Sequence, residues 1–374
     1  MTRLPALPTL GLLCTTLCVL PTMSGCAVHH HWDQDRDGSS ATVKVARSTS
    51  SAPGFYGTQD PAFWSDGEDR GQASLAQVTF APEGSDFDPE LDPDGRSLVY
   101  ASTQHSTRSD IYRKLIEGQT VTRLTFDPAD DAMPCISPDG DWIAFASNRS
   151  GNWDIWMMPA TGGAATQMTF GPDHELHPSF SPDGTELTYC RRNARSGQWE
   201  IWSYAISSPG TRTYVCDGLF PQWSPDSATP RLLFQRARQR GSRFFSIWTV
   251  EFDGGRCSNP TEIVSASDAA IMHPAWSPDG GSICYCLVSE PLEAPGAWPV
   301  QADVWRVFVD GSGQAPLTRG DARNMQPDWS PDGRIYFVSD RGGTDVIWST
   351  PATPAMAPDP LPALVDATDG GDGD

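Results

Sequence analysis

Short apolar runs alternate along this chain with clusters of Gly, Pro, Asp and Ser, and the same run-and-cluster unit returns six times. The copies are FDPELDPDGRSLVY from Phe87, MPCISPDGDWIAFAS from Met133, HPSFSPDGTELTYC from His177, FPQWSPDSATPRLLF from Phe220, HPAWSPDGGSICYC from His273 and QPDWSPDGRIYFVS from Gln326. The prolines that open them are Pro89, Pro134, Pro178, Pro221, Pro274 and Pro327, spaced by 45, 44, 43, 53 and 53 residues. A second word follows each turn: Asp110-Ile111-Tyr112, Asp154-Ile155-Trp156, Glu200-Ile201-Trp202, Ser246-Ile247-Trp248, Asp303-Val304-Trp305 and, one residue out of step, Asp345 to Trp348. A third comes later, as Arg123-Leu124-Thr125, Gln167-Met168-Thr169 and Pro316-Leu317-Thr318. These segments are short, rich in β-branched and aromatic residues, and bounded by turn formers, which predicts strands and no long helix.

The repeated Ser-Pro-Asp-Gly is a chain reversal. Proline presets φ at the first corner, aspartate bonds the backbone just after it, and glycine takes the positive φ that closes the turn. Repeats at this period, each holding about four strands, predict an all-β fold: a six-bladed β-propeller of four-stranded antiparallel blades. A sandwich has no reason to repeat its sequence.

Units that combine Trp-Ser-Pro-Asp-Gly, an apolar strand, Asp-Ile-Trp and Leu-Thr resemble the β-propeller repeats of the TolB family, the periplasmic component of the Tol envelope system. The resemblance covers roughly residues 74 to 350. TolB proper carries an N-terminal α/β domain, whereas the span from Ala27 to about Ala73 is too short and too polar for one. The chain is therefore expected to be a TolB-type propeller without that second domain.

Composition agrees with a turn-dense β protein: 34 Gly, 33 Pro and 14 Trp, with 38% hydrophobic residues. Eight tryptophans fall at repeat positions (Trp156, Trp202, Trp223, Trp248, Trp276, Trp305, Trp329 and Trp348), which predicts packing between blades rather than a sugar-stacking platform. A net charge of -21 excludes nucleic acid and electrostatic adhesion to anionic lipid. The cluster Arg231, Arg236, Arg238, Arg240 and Arg243 runs against that charge; it reads as a solvated hairpin, or as a grip for a carboxylate-rich partner.

The N-terminus reads as an address. Residues 1–25 have a basic start at Arg3 and an apolar stretch from Leu4 to Leu20, too short and too proline-rich to span a bilayer, as in an export signal. The stretch ends in Met23-Ser24-Gly25-Cys26, which resembles a bacterial lipobox with lipidation at Cys26; the alternative is a plain secretory signal. With Ala27 next, the resemblance implies a periplasmic protein lipid-anchored to the outer membrane. Residues 26–73 form a polar tether, 74–366 the propeller and 367–374 an acidic tail. Asp33, Asp35, Asp37 and Gly38 match the start of a calcium loop, but position twelve is Lys44 where a bidentate glutamate is needed; no cofactor is expected. His29, His30 and His31 read as a solvated run.

Beyond Cys14 and Cys18 in the signal, and Cys26, six cysteines remain, of which Cys190 and Cys216 form the single pair worth testing as a disulfide. Ring closure is assigned to Ala76-Gln77-Val78-Thr79-Phe80, which resembles the Leu-Thr word but precedes the first turn; Ala363-Leu364-Val365 competes for that role. Deleting residues 74–82 is then expected to cost more stability than trimming the tail after Ser349.

Function is expected where the loops entering the inner strands crowd the channel, just before each repeat proline. In the TolB family this mouth receives the lipoprotein Pal. The resemblance thus implies that Asp131, His174, His177, His273, Asn324 and Gln326 bind a protein or peptide of the envelope, in a monomeric, non-catalytic protein of Tol-type envelope integrity or transport. The alternative is a metal-dependent polysaccharide lyase or hydrolase of the oligogalacturonate lyase type, with His174, His177 and His273 joined by Glu175 or Asp131. No Gly-x-Ser-x-Gly elbow is present to support a peptidase.

Overall fold

In a computed structural model the chain folds as six four-stranded antiparallel sheets. It describes residues 75–353, except 209, 227, 238–244, 267–268 and 290–300. The signal, the tether with its calcium-like and histidine stretches, Cys26, the acidic tail, Arg238, Arg240, Arg243 and the competing closer at 363–365 lie outside the described residues.

After the short β1 (Ala76–Gln77), the first blade holds β2 (Asp86–Leu91), β3 (Ser97–Ser102), β4 (Asp110–Leu115) and β5 (Val121–Arg123). The second holds β6 (Asp131–Ile136), β7 (Trp142–Ser147), β8 (Asp154–Pro159) and β9 (Thr166–Gln167); the third β10 (Glu175–Phe180), β11 (Glu186–Arg192), β12 (Trp199–Ala205) and β13 (Arg212–Asp217). The fourth holds β14 (Leu219–Trp223), β15 (Arg231–Ala237), β16 (Phe245–Asp253) and β17 (Arg256–Val264); the fifth β18 (Ala269–Trp276), β19 (Ser282–Ser289), β20 (Gln301–Phe308) and β21 (Ala315–Pro316). The sixth is β22 (Asn324–Trp329), β23 (Arg334–Ser339) and β24 (Val346–Pro351), completed by β1 as its outermost strand.

The turns work as the residue types dictate. In the second blade the Asp139 carboxylate accepts from the Ser137 hydroxyl (2.5 Å) and the Asp141 amide (3.1 Å), while Ser137 Oγ accepts from Trp142 N (2.9 Å). Serine and aspartate repeat this pairing at Ser181 with Asp183 and Ser277 with Asp279. Gly140, at φ 76°, supplies the left-handed corner.

Blade closure rests on the threonine word. Thr125, Thr169 and Thr318 each accept, through the side-chain hydroxyl, the buried amide of the residue after the aspartate in the Asp-Ile/Val-aromatic word of their own blade (Ile111, Ile155 and Val304), at 2.8–2.9 Å. Thr79 does the same for Ile347 N at 3.0 Å, and Val78 N donates to Ile347 O at 2.8 Å, with Ala76 opposite Ser349 and Gln77 opposite Trp348. The segment before the first turn is the fourth strand of the last blade, and the ring has no free edge there.

Two sets of tryptophan separate in the structure. Trp223 and Trp276 are buried, and Trp276 Nε1 reaches back to Gln222 O of the preceding blade at 3.3 Å. Those of the Asp-Ile-Trp word are half-buried, and four carry a guanidinium over the ring: Arg149 on Trp156, Arg191 on Trp202, Arg236 on Trp248 and Arg341 on Trp348, at 4.9–5.8 Å. Cys190 and Cys216 cannot bridge: they pair with Ile201 from opposite sides, on β11 and β13. Two strand spacings put them about 10 Å apart, beyond the ~4.4–6.8 Å Cα separation a disulfide needs.

Candidate functional site

Each inner strand has a proline in its middle, and this one residue type organises the channel. Proline cannot donate to a ladder, so it is tolerated inside a sheet only at an edge or a bulge. All six inner strands bulge at that point: residues 88–89, 133–134, 177–178, 220–221, 273–274 and 326–327 each sit opposite one residue of the neighbouring strand. The residues they oppose are Tyr100, Phe145, Tyr189, Phe234, Tyr285 and Phe337, all fully buried. The residue before each proline is left-handed, with φ between 49° and 54°: Asp88, Met133, His177, Phe220, His273 and Gln326. Among non-glycine residues only Asn259, in the outer strand β17, joins them among the described residues. Such backbone is uncommon for a residue with a Cβ, and its sixfold recurrence marks it as a built feature.

The consequence is a pair of stacked rings. The six left-handed residues line a central cavity of about 140 Å³, and the residues one past each proline (Glu90, Cys135, Ser179, Gln222, Ala275 and Asp328) line it too. The second ring also stitches blade to blade. Glu90 accepts from Ile136 N (3.4 Å), Ser179 from Trp223 N (3.3 Å), Gln222 from Trp276 N (2.6 Å) and Asp328 from Leu91 N (2.8 Å), the last across the seam between sixth and first blades. In the first ring Asp88 accepts from Met133 N at 3.1 Å and from the Gln326 side-chain amide, whose oxygen accepts from Asp88 N at 3.2 Å.

The cavity wall is chemically divided. On the sixth and first blades stand Gln326, Asp88, Glu90 and Asp328; on the third to fifth, Phe220 lies between two imidazoles, 3.9 Å from the His177 ring and 4.7 Å from that of His273, nearly perpendicular to the latter. Desolvation pushes the Asp88 carboxyl up to about 7 and Asp328 up to about 6, and lifts Glu90 well above the usual range, where the Asp328 charge adds to the effect. Burial holds His273 down at about 4, so its ring is neutral at physiological pH. The His273 backbone amide donates to Gln235 Oε1 at 3.0 Å, but neither ring nitrogen has a hydrogen-bond partner.

Of the residues singled out from sequence, His177, His273 and Gln326 stand together in this wall. Asp131, His174 and Asn324 lie three or four residues before the proline and are placed outside it. Asp131 is fully buried and takes a two-pronged ion pair from Arg149 Nη2, 2.8 Å to each oxygen. Asn324, also buried, accepts from Arg341 Nη2 at 3.0 Å, and His174 Nδ1 accepts from Trp153 N at 3.4 Å. Glu175 is likewise paired, with Arg212 Nη1 at 2.9 Å. The set proposed for a metal is therefore dispersed, and no group of three or more His, Cys, Asp or Glu suited to a metal exists among the described residues. Asp88, Glu90, Phe220 and Asp328 were not anticipated as site residues. Their signal was available: in every repeat the residues immediately before and after the proline flank a bulge and share one side of the strand.

Six blades around a chemically divided central cavity define the class: a β-propeller whose channel is the candidate binding site. The chain belongs to the TolB beta propeller domain family, whose pattern it matches over residues 72–278. Among solved structures, a putative TolB from Agrobacterium tumefaciens aligns with a TM-score of 0.54 at 23% identity, over 75% of this chain and 90% of that one. An oligogalacturonate lyase from Vibrio parahaemolyticus aligns at 0.52 and 15% identity, over 76% and 95%. At these identities the likeness is one of fold. An uncharacterized protein of Agrobacterium fabrum is 40% identical over 74 residues, and an uncharacterized peptidase, YuxL, of Bacillus subtilis is 34% identical over 84. The match spans 20% and 22% of this chain, and only 22% and 12% of those relatives.

Proposed function

We propose that the protein is a non-catalytic, lipid-anchored component of the cell envelope that binds a protein or peptide at the mouth of its central channel. The observation that carries this reading is the double ring: twelve side chains, differing from blade to blade, presented to one cavity by a repeated strained bulge. Such a site is built for recognition of an irregular ligand rather than for a symmetric one. Phe80, Phe126 and Phe170 support a macromolecular partner. They follow the threonine word in three successive blades, in the connections that lead to the inner strands at the channel mouth, and are 59%, 72% and 61% exposed. The lyase alternative draws no support from the site, because His174, Glu175 and Asp131 stand outside the cavity and are engaged with Trp153 N, Arg212 and Arg149.

The reading is tested with a photo-crosslinking residue at Met133 in the full chain, expressed in its native envelope. It predicts one partner captured there and not from the same probe at Thr261 on the outer strand of the fourth blade. The paired substitution His177→Ala and His273→Ala should weaken that capture, and Cys26→Ser should release the protein from the membrane fraction. Equal capture from both probe positions, or turnover of polygalacturonate by the purified protein, overturns it.

A further inference from the structure

The partner-binding reading leaves open what chemical group enters the cavity, and the wall itself narrows the choice. Three carboxyls, Asp88 and Glu90 on β2 and Asp328 on β22, look into one small space, and no Lys or Arg lines it among the described residues. Each already spends an oxygen on a backbone amide of the next blade, so the acids are fixed in place. On the fifth blade, next to that of Asp328, His273, only 6% exposed and neutral, presents two ring nitrogens that nothing in the protein satisfies. A buried polar atom without a partner is a cost that a ligand can remove. Between the two imidazoles, Phe220 offers an aromatic surface to the same space.

We propose that the channel cavity binds a guanidinium group, an arginine side chain of the protein or peptide partner, held between the Asp88, Glu90 and Asp328 carboxylates and the Phe220–His273 wall. The proposal rests on the partner-binding reading and names what that site takes. A guanidinium is a flat, weakly hydrated cation with five donors in a rigid fork. It can bond carboxylates on one edge, present an N–H to an imidazole nitrogen on another and lay its face on an aromatic ring. An ammonium offers the charge without the plane. The cavity, at about 140 Å³, is far larger than the ~10–15 Å³ that a single water requires, so it has room for a side-chain head.

A cation also explains how three acids can share the space. Their carboxyls are pushed toward the protonated form by desolvation; a cation favours the ionised form, so binding expels protons and strengthens as pH rises. The other titratable groups facing the cavity are His177, His273 and Cys135. His273 stays neutral above about pH 4, and burial keeps the Cys135 thiol protonated. With Asp88 near 7, the ionised fraction climbs from a few per cent at pH 5.5 to about nine-tenths at pH 8, which implies a tenfold or greater gain in affinity.

The test is calorimetric titration of the full chain in detergent with N-acetyl-arginine methylamide and with its neutral isostere, the citrulline amide, at pH 5.5 and pH 8. At pH 6.5, where Asp88 is still mostly protonated, two buffers of different ionisation enthalpy report proton release. The arginine amide is expected to bind with proton release at pH 6.5 and at least tenfold more weakly at pH 5.5 than at pH 8, and the citrulline amide to give no saturable heat. Asp88→Asn and Asp328→Asn should each weaken binding about tenfold or more. Equal binding of the two amides, no saturable binding of the arginine amide at millimolar concentration, or equal affinity at both pH values overturns the proposal without recourse to any variant. If Met133 captures a partner while the arginine amide fails, the cation is wrong and the partner-binding reading stands. If the amide binds while no partner is captured, the reverse holds.

Discussion

Replacing Thr79 by Val isolates the closure of the ring, because the substitution keeps shape and removes only the hydroxyl. That hydroxyl accepts from Ile347 N at 3.0 Å, so it ties the N-terminal segment to β24 of the sixth blade. Ile347 and Thr79 are buried, at 0% and 2% exposure, so no water replaces the lost acceptor. An orphaned buried amide costs about 1–3 kcal/mol. For a domain of this size each kcal/mol lowers Tm by roughly 2–4 °C, so Thr79→Val should melt several degrees below wild type, while Thr79→Ser should stay close to it. The assay is thermal unfolding by circular dichroism, with hydrogen exchange at the Ile347 amide as the local readout. Thr169→Val serves as reference, since its hydroxyl accepts Ile155 N at 2.8 Å within one blade. A Thr79→Val protein as stable as wild type, with Ile347 still protected and Thr169→Val clearly destabilised, would refute closure by the N-terminal strand. For the coarser test by truncation, β24 runs to Pro351 and Thr350 is fully buried, so the tail cut belongs after Thr353 rather than after Ser349.

Three other outcomes follow from single sites. Asp131→Ala leaves Arg149, whose side chain is only 16% exposed, with the distant Asp127 at 3.9 Å as its one remaining carboxylate, and should cost up to about 3–5 kcal/mol by denaturant titration; the Arg149→Ala, Asp131→Ala pair should cost less than the sum of the singles. His273 carries a folded pKa of about 4, below its unfolded 6.5, so the unfolded chain takes up its proton first as pH falls. Wild type should therefore lose up to about 3 kcal/mol from this group between pH 6.5 and pH 4, a loss absent in His273→Phe and visible in the difference of Tm at the two ends of that window. Non-reducing peptide mapping after mild oxidation should recover Cys190 and Cys216 in separate peptides; a linked pair would mean that β12 does not lie between them.

The blades and their number were legible because the turn chemistry is repeated literally, and Ser-Pro-Asp-Gly needs no tertiary context to reverse a chain. Closure was legible for a related reason: Val78-Thr79 is the same word as Leu124-Thr125, and a word that occurs before its own blade must belong to another. The site was read only in part. His177, His273 and Gln326 were reached through their position beside the proline, while Asp131, His174 and Asn324 were drawn from the loop ahead of it. There the strand has not yet bulged, and Asp131 and Asn324 meet arginines just past the end of the neighbouring strand, Arg149 after β7 and Arg341 after β23. What was missed is the meaning of a proline in mid-strand. It requires a bulge, and the bulge decides which residues reach the axis. The fate of Cys190 and Cys216 depended on strand order, which spacing along the chain does not contain.

The bulge also accounts for how a repeated scaffold can carry an unrepeated site. Along an ordinary strand, alternate residues must suit the packing against the next sheet, so six equivalent positions tend toward similar side chains. At the left-handed residue the backbone turns the side chain out of the sheet and into the channel, and the buried aromatic opposite supplies the packing instead. The position is then released from the alternation of the sheet: it holds an acid, a thioether, two imidazoles, a phenyl ring and an amide in six successive blades. The surviving restriction is steric, for a β-branched side chain is poorly tolerated at positive φ, and none of the six is Val, Ile or Thr. Selectivity can accordingly be altered at this ring with little loss of fold. A charge-reversed ring, with Asp88 changed to Lys at the cost of its bond from Met133 N, should therefore keep the circular dichroism spectrum of the fold while losing the arginine amide. Loss of folding in that variant together with the single Asn substitutions would show that the ring carries stability after all.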